Sequence, residues 1–470
     1  LLVKNTEKST SKATIYHHDI GDYLSREEKL KIISGFHSVS NTKMLWQTIQ
    51  PNEHGDWLNQ RDNLFESLIP INSENKFDSS TKSIFVVHSR GNETTRDAWV
   101  YNSSIGSLKL NMGRMVSFFN EQIEEFKKVK EKQSNIKPLN FIETDPSKIS
   151  WSSSLIPHLE QGNKAVFEPQ KIVNGHYRPF YKQNLYLGDK MIHRRGQMPE
   201  FFANTGKENF VICVSGIGVT KEFSAIITNT IPDLELIGKS QCFPLNYYEE
   251  RQKSSPTLFD DANESEYIRR DGVSDFILER AHKMYGNRVS KEDIFYFVYG
   301  ILHSPEYRTR FSNDLKKMLP RIPLVEEPND FWKFSKSGRA LAELHINYEK
   351  VAPYEGVTVK GAETGFYRVE KMRFSAKDRK DTILYNSKIT IENIPEKAYE
   401  YIVNGKSAIE WIMERYQVTI HKESGIKNNP NHWADEVGNP SYILDLLLST
   451  INLSLKTVEI VESLPKLKFE

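Results

Sequence analysis

Two rhythms of apolar and polar residues run along this chain, one with a helical period and one with the alternation of strands. Phe297, Val298, Ile301 and Leu302 fall at i, i+1, i+4 and i+5, close to a helical repeat. Ser304-Pro305 then opens a second helix, with Ser304 placed to cap the free N–H groups and Pro305 at the first helical position. Phe311, Leu315 and Leu319 recur every fourth residue, Arg308, Arg310, Lys316 and Lys317 lie elsewhere around it, and Pro320 and Pro323 end it. Tyr296 to Pro323 therefore reads as a buried spacer helix pair. Met112, Met115, Val116, Phe119, Ile123 and Phe126 predict a long amphipathic helix over 107–132 with a lysine-rich last turn. Ser25 and Glu28 form a capping box at the head of a helix over 25–33. Further helical patterns cover 275–285, 291–323, 395–416, 442–451 and 457–464. Strand patterns cover 14–16, SIFVVHS, NFVICVS and EFSAIITNT on either side of the loop GIGVTK, KSQCFPLNYY, 351–359 and 365–374. DTILYNSKITIENI reads as a hairpin-like strand pair. A turn at 19–24, a polar loop at 72–83 and a charged linker at 251–272 separate these elements. The mixture predicts an α+β chain, and 470 residues exceed a single compact core.

Composition narrows the classes. No apolar run approaches the roughly 18 residues that a bilayer requires. The chain begins LLVKNTEKST, without an initiator Met, a basic leader or a cleavage site, which reads as part of a longer polypeptide with no signal peptide. Two cysteines, Cys213 and Cys242, cannot build a disulfide framework or a cysteine zinc site alone and fit a reducing cytoplasm. The net charge of +1 gives no general nucleic-acid signal. Local charge is more informative: Arg368, Lys371, Arg373, Lys377, Arg379 and Lys380 face only Glu370 and Asp378 in the stretch 366–380, and Lys190, Arg194 and Arg195 form a second basic cluster with His193. Either could be a solvated face.

Several motifs imitate catalytic ones. Asn439-Pro440-Ser441-Tyr442 nears the motif that holds a flipped adenine, but Ser stands where a second Pro belongs, so it reads as a helix-start turn. Gly216 to Lys221 lacks the spacing and ending of a phosphate loop and reads as a turn between strands. Pro232-Asp233 with Glu235 and Lys239 is too compact for a metal-dependent nuclease motif. His17-His18 reads as structural, and no His-Glu-x-x-His is present.

What remains suits the reading of DNA, which needs base-edge donors and acceptors on a shaped surface and cations for phosphates. Thr94, Thr95 and Arg96 form one group, although Arg96 and Asp97 beside Trp99 could equally pair internally. Tyr177, Arg178, Lys182 and Gln183 form a second, where aromatic and basic residues interleave as they also do in cores. Thr220, Lys221 and Glu222 stand at a loop tip between strands. Gly361, Glu363 and Thr364 precede the basic run of Arg368, Lys371, Arg373 and Lys377, which with Arg194 and Arg195 would take phosphates. Lys422, Asn428 and Asn429 lie in a polar loop, where Asn suits adenine and also suits turns. The arginines of the spacer are a further candidate for a phosphate backbone.

These runs carry a resemblance. YGILHSPEYRTRFSNDLKKMLPRIP resembles the spacer in target-recognition regions of adenine-specific restriction–modification enzymes. ATIYHHDIGDYLSREEKL and PNEHGDWLNQRDNLFESLIPI resemble the end of a Type ISP methyltransferase domain. GNETTRDAWVYN, YRPFYKQNLY, KSQCFP, NGKSAIEWIMERY and YILDLLLSTINLSLKTVEIVESLPKL extend the likeness along nearly the whole chain. It thus resembles the C-terminal region of a Type ISP single-polypeptide restriction–modification enzyme. The resemblance implies a methyltransferase tail at 1–80, a β-rich target-recognition half at 81–250, a linker and helical spacer at 251–323, and a mixed half of the specificity domain at 324–470. It implies double-stranded DNA as partner, together with methyltransferase and translocase domains of the same polypeptide. It places S-adenosylmethionine, ATP and Mg in the parent enzyme and no cofactor, metal or catalytic residue in this chain. The alternatives are a docking module between methyltransferase and motor, and a stand-alone metal-dependent nuclease.

Overall fold

The structure, a computed structural model, describes residues 14–21, 24–73, 76–78, 80–203, 208–251, 266–377 and 379–469. Most of the linker at 251–272, and parts of the turn at 19–24, the loop at 72–83 and the basic run at 366–380, lie outside the described residues. The chain divides into two compact units, residues 1–63 and 64–470.

In the first unit, Ile15–His17 pairs antiparallel with Gln47–Ile49, and Arg26–Phe36 is a helix. Its start is set by the expected capping box: Ser25 accepts from the Glu28 N–H and Glu28 reaches back to the Ser25 N–H. The helix buries none of its side chains within this unit.

Among its described residues the second unit holds three four-stranded sheets. In the first sheet the order is Ile231–Pro232, Ile172–Arg178, Tyr181–Tyr186, Tyr101–Asn102. The second runs Ser89–Arg90, Gln241–Pro244, Val211–Val214, Ala225–Thr228, and the third Thr358–Lys360, Thr390–Glu392, Arg379–Leu384, Arg373–Ala376. The second sheet has no wet face. Val211 and Cys213 point into one core while Ile212 and Val214 point into another, as the period of two requires. This is why NFVICVS reads as an unbroken apolar run. Cys213 and Cys242 are opposite one another in this sheet, buried and free, with sulfurs 3.7 Å apart.

One core joins the first half to the C-terminal half, from Trp99, Phe119 and Leu185 to Ile383, Trp411 and Leu447. The other surrounds the spacer, and Phe65, Ile69 and Ile71 belong to it. The long helix is Ile105–Lys132, capped by Ser104 and burying the six residues expected of it. The helix Lys291–Ile301 is buried all round from Ile294 onward and lies against Pro328–Ile346. The two approach closely at Gly300 and Gly338: a Cβ on Gly338 would stand 1.9 Å from the Tyr296 carbonyl oxygen.

The structure differs from the sequence reading at particular elements. Ser304 caps as expected, but the helix Pro305–Arg310 stops at Phe311, and Asp314–Lys317 is a separate turn. SIFVVHS is extended yet paired piecemeal, Ile84 with Pro70, Phe85 with Ile71 and Val86 with Gly272, and only Ser89–Arg90 is a strand. Within 395–416 the chain makes a 3-10 turn at Glu396–Tyr399 and a small hairpin, Ile402–Val403 with Lys406–Ser407, before the helix Ala408–Arg415. Asn404 and Gly405, both at positive φ, form its turn. The two closing helices are one, Tyr442–Glu462. No described helix is long and apolar enough to cross a membrane.

Candidate nucleic-acid interface

Three groups of candidate residues, distant in sequence, line one cleft of about 590 Å³. Thr95 and Arg96 come from the loop before the short helix Asp97–Val100. Tyr177, Tyr181 and Gln183 come from the 172–186 hairpin, and Lys422 and Asn428 from the loop beyond Ala408–Arg415. The Tyr181 hydroxyl ties them together. It accepts from Gln183 Nε2 at 2.8 Å and Asn428 Nδ2 at 2.9 Å, which leaves its own proton for Ser103 Oγ at 2.9 Å. Asn428 Oδ1 also accepts from the Ser103 N–H at 2.8 Å, and Asn102 Nδ2 donates to the Lys427 carbonyl at 3.2 Å. A two-residue ladder, Thr419–Ile420 with Lys427–Asn428, then projects the exposed tip that carries His421, Lys422 and Glu423.

Much of the charge around this cleft is held by the fold. Arg96 is buried, and its guanidinium donates to the carbonyls of Ser150 and Met191 and to Ser152 Oγ. Burial lowers its pKa to about 10, so it stays cationic at neutral pH. Arg178 pairs with Asp233 at 2.7 Å and Asp97 at 3.5 Å and lies 3.9 Å above the Tyr177 ring. Burial opposes the Arg178 charge, but Asp233, Tyr177 and Asp97 outweigh it and raise its pKa. The Asp233 carboxyl is pushed up to about 7, chiefly by burial, against the pull of Arg178. Thr94 donates to Asp97. The Pro232-Asp233 decoy is thus one end of an internal ion-pair network.

Arg415 and Glu414 line the same cleft and were missed in the sequence. Arg415 pairs with Glu414 at 2.7 Å and lies over Trp411 at 5.3 Å, while its Nε has no hydrogen-bond partner among the described residues. The signal was the helical pattern of AIEWIMERY, which puts Trp411 and Arg415 four residues apart on adjoining turns.

The other candidates lie elsewhere. Arg194 is exposed; its backbone pairs with Glu93, next to the Thr94 loop, while Arg195 pairs with Asp189 at 2.7 Å. Lys182 is held by Glu349 at 3.3 Å, and Asn429 by Asn431 and His432. Thr220, Lys221 and Glu222 are exposed at their loop tip. Gly361 turns at φ 83° where a Cβ would stand 2.1 Å from the Lys388 carbonyl oxygen, so a backbone requirement accounts for it. Glu363 and Thr364 beside it are exposed. Arg368 makes a forked ion pair with Asp435 at 3.0 Å. Lys371, Arg373 and Lys377 are exposed and have no ion pair among the described residues.

The model of the Type ISP C-terminal specificity domain matches residues 83–446, a span that contains every one of these groups. The chain belongs to the Type ISP C-terminal specificity domain family. A nuclease-deletion mutant of the Type ISP restriction–modification enzyme LlaGI, solved in complex with a DNA substrate mimic, is 36% identical with a TM-score of 0.83 over 98% of this chain and 40% of its own. The ATP-dependent Type ISP enzyme LlaBIII, bound to DNA, is 34% identical with a TM-score of 0.85, over 98% of this chain and 28% of its own. A DrdV–DNA complex is 25% identical with a TM-score of 0.79, over 97% and 44%. A comparison with curated proteins finds no match. This Type ISP specificity domain chain therefore spans less than half the length of each of these solved chains. The likeness also takes in residues before 83, where the Type ISP family model does not reach.

Proposed function

We propose that this chain selects the sequence at which a Type ISP restriction–modification enzyme acts on duplex DNA. The observation that carries the reading is the gathering of polar groups from two loops, near residues 95 and 422, and from the 172–186 hairpin, on one cleft of a chain in this family. Membership gives the class, and the cleft gives side chains of the right chemistry on a rigid frame. In this reading the exposed groups of the cleft, Thr95, His421 and Lys422, together with Arg415, meet base edges or the sugar-phosphate wall. Lys371, Arg373 and Lys377, which have no ion pair among the described residues, hold the backbone in register. Arg96, Arg178 and Gln183 support those contacts from beneath. The parent enzyme would act in the cytoplasm and methylate adenine N6 with S-adenosylmethionine. Its ATP- and Mg-dependent translocation and cleavage would likewise reside outside this chain.

The test is duplex binding by the chain across salt concentrations. Several phosphate contacts predict a log–log slope of about −0.9 for each phosphate neutralised. A salt-independent interaction, or none, sinks the proposal. A docking role also has support, because the first unit exposes Leu30, Ile33, Leu45, Trp46 and Trp57. Exchanging residues 84–470 for those of a relative with another target site separates the two. Site choice that follows the exchanged segment supports reading; site choice that stays with the rest of the enzyme supports docking alone.

A further inference from the structure

A second cavity, of about 670 Å³, lies between the spacer and the C-terminal half, away from the residues of the cleft above. It falls in the size range of small-molecule sites. Arg308 lines it from the helix Pro305–Arg310. One edge of its guanidinium is used: Nε donates to the Leu302 carbonyl at 2.6 Å, and the group lies 5.9 Å from the Phe223 ring. No carboxylate forms an ion pair with it among the described residues. Burial is the main influence on this group and disfavours its charge, while Tyr401, Tyr299 and the Glu222 carboxylate act in the opposite direction.

His303 lines the same cavity and is 2% exposed. Its Nδ1 lies 2.8 Å from the Tyr299 carbonyl, so Nδ1 carries the proton and Nε2 is a bare acceptor. Nε2 is enclosed and has no hydrogen-bond partner among the described residues. Burial first, then Arg308 and His345, hold the ring neutral by pushing its pKa well below the usual value. The wall therefore asks for an anion that accepts from the Arg308 Nη groups. At the rim stand Lys316, exposed and free of ion pairs among the described residues, and the carboxylates of Glu222, Glu400 and Glu462. Lys397 neutralises Glu462 at 2.7 Å, which leaves Glu222 and Glu400 as acceptors for hydroxyl groups.

We propose that this cavity binds a phosphate monoester of sugar-phosphate or mononucleotide size, with the phosphate on Arg308 and the sugar hydroxyls toward the rim carboxylates. A free sugar phosphate carries hydroxyl groups for those carboxylates, whereas the DNA backbone has none between its phosphates. Lys316 adds charge at the entrance. The site is independent of the DNA-reading proposal, which uses other residues.

Calorimetric titration of the chain with ribose 5-phosphate, inorganic phosphate, ribose and a duplex with hydroxyl ends tests this. Ribose 5-phosphate should bind saturably at about millimolar concentration or better, and ribose should not bind. Arg308→Gln should weaken binding about tenfold or more, and Lys316→Glu several-fold. Should Arg308→Gln fail to fold, Lys316→Glu and Ser312→Trp, both at exposed positions, carry the test, because Ser312→Trp fills the cavity mouth. No saturable binding of ribose 5-phosphate or phosphate up to about 10 mM overturns the proposal. Affinity unchanged in these variants overturns it too. Displacement of ribose 5-phosphate by the hydroxyl-ended duplex would make the anion a backbone phosphate and overturn the monoester assignment.

Discussion

The hairpins at 172–186 and 373–384 both carry several basic residues, and the fold uses them in opposite ways. In the first, His176 is buried, Arg178 is held by Asp233 and Asp97, and Lys182 by Glu349. Both of its faces are covered: Tyr348, Tyr401 and Tyr416 lie against Phe180 and Tyr181, and Tyr101 against Tyr177. In the second, only one face meets the core, through Phe374 and Ile383. Arg379 and Lys380 find Asp381 and Glu410, while Arg373 and Lys377 are exposed and have no ion pair among the described residues. A cation thus speaks for a partner outside the chain only where the fold supplies no carboxylate and leaves one face uncovered.

The largest expected effect tests the closed hairpin. Arg178→Ala leaves Asp233 buried without its cation and should lower stability by about 3–5 kcal/mol in urea denaturation. A loss under about 1 kcal/mol would dissolve the contrast. Next comes acid sensitivity. Burial, helped by Lys182, lowers the His176 pKa to about 3, so the folded protein leaves this ring neutral where the unfolded chain protonates it near 6.5. The unfolded state then binds more protons between those values, and stability falls as the pH is lowered through that window. The slope is about 1.4 kcal/mol per pH unit for this residue, or about 2 kcal/mol between pH 6.5 and 5. Denaturation at several pH values should show it, and His176→Phe should flatten it. The smallest stability effect belongs to the open hairpin. Arg373→Gln and Lys377→Gln should change stability by less than about 0.5 kcal/mol. Each should nevertheless weaken binding to all duplexes alike and reduce the salt slope by about 0.9. An effect confined to one target sequence would move these residues from backbone contact to base reading.

Local signals in the sequence were reliable where the physics is local. Ser25 and Ser304 each accept a backbone N–H at a helix start as read, and Asp275–Tyr285 stands where its apolar spacing put it; Ser104, Ser274, Ser290 and Ser407 cap in the same way without having been read as caps. The helix Pro328–Ile346 was not read, because Gly338 and intervening Ser and Lys residues interrupt its stripe. Phe331, Phe334, Leu341, Ala342 and His345 nonetheless share its buried face, and Pro328 marks its first turn. Tyr442–Glu462 was split in two at its polar middle. There Thr450 and Ser454 donate back to the carbonyls of Leu446 and Thr450 four residues earlier, so buried hydroxyls are satisfied without breaking the helix. The cleft was legible only as separate groups. Asn428 reaches Ser103 across 325 positions, and no local pattern encodes such a meeting. The same holds for Arg178, whose carboxylate partners, Asp97 and Asp233, are far from it in sequence.

The sheet of Val211–Val214 and its neighbours is a shared wall of both cores, with alternate side chains serving opposite sides. Loosening either core strips support from that wall and so from the other. Residues 64–470 should therefore melt as one cooperative block, with slow amide exchange centred on these strands.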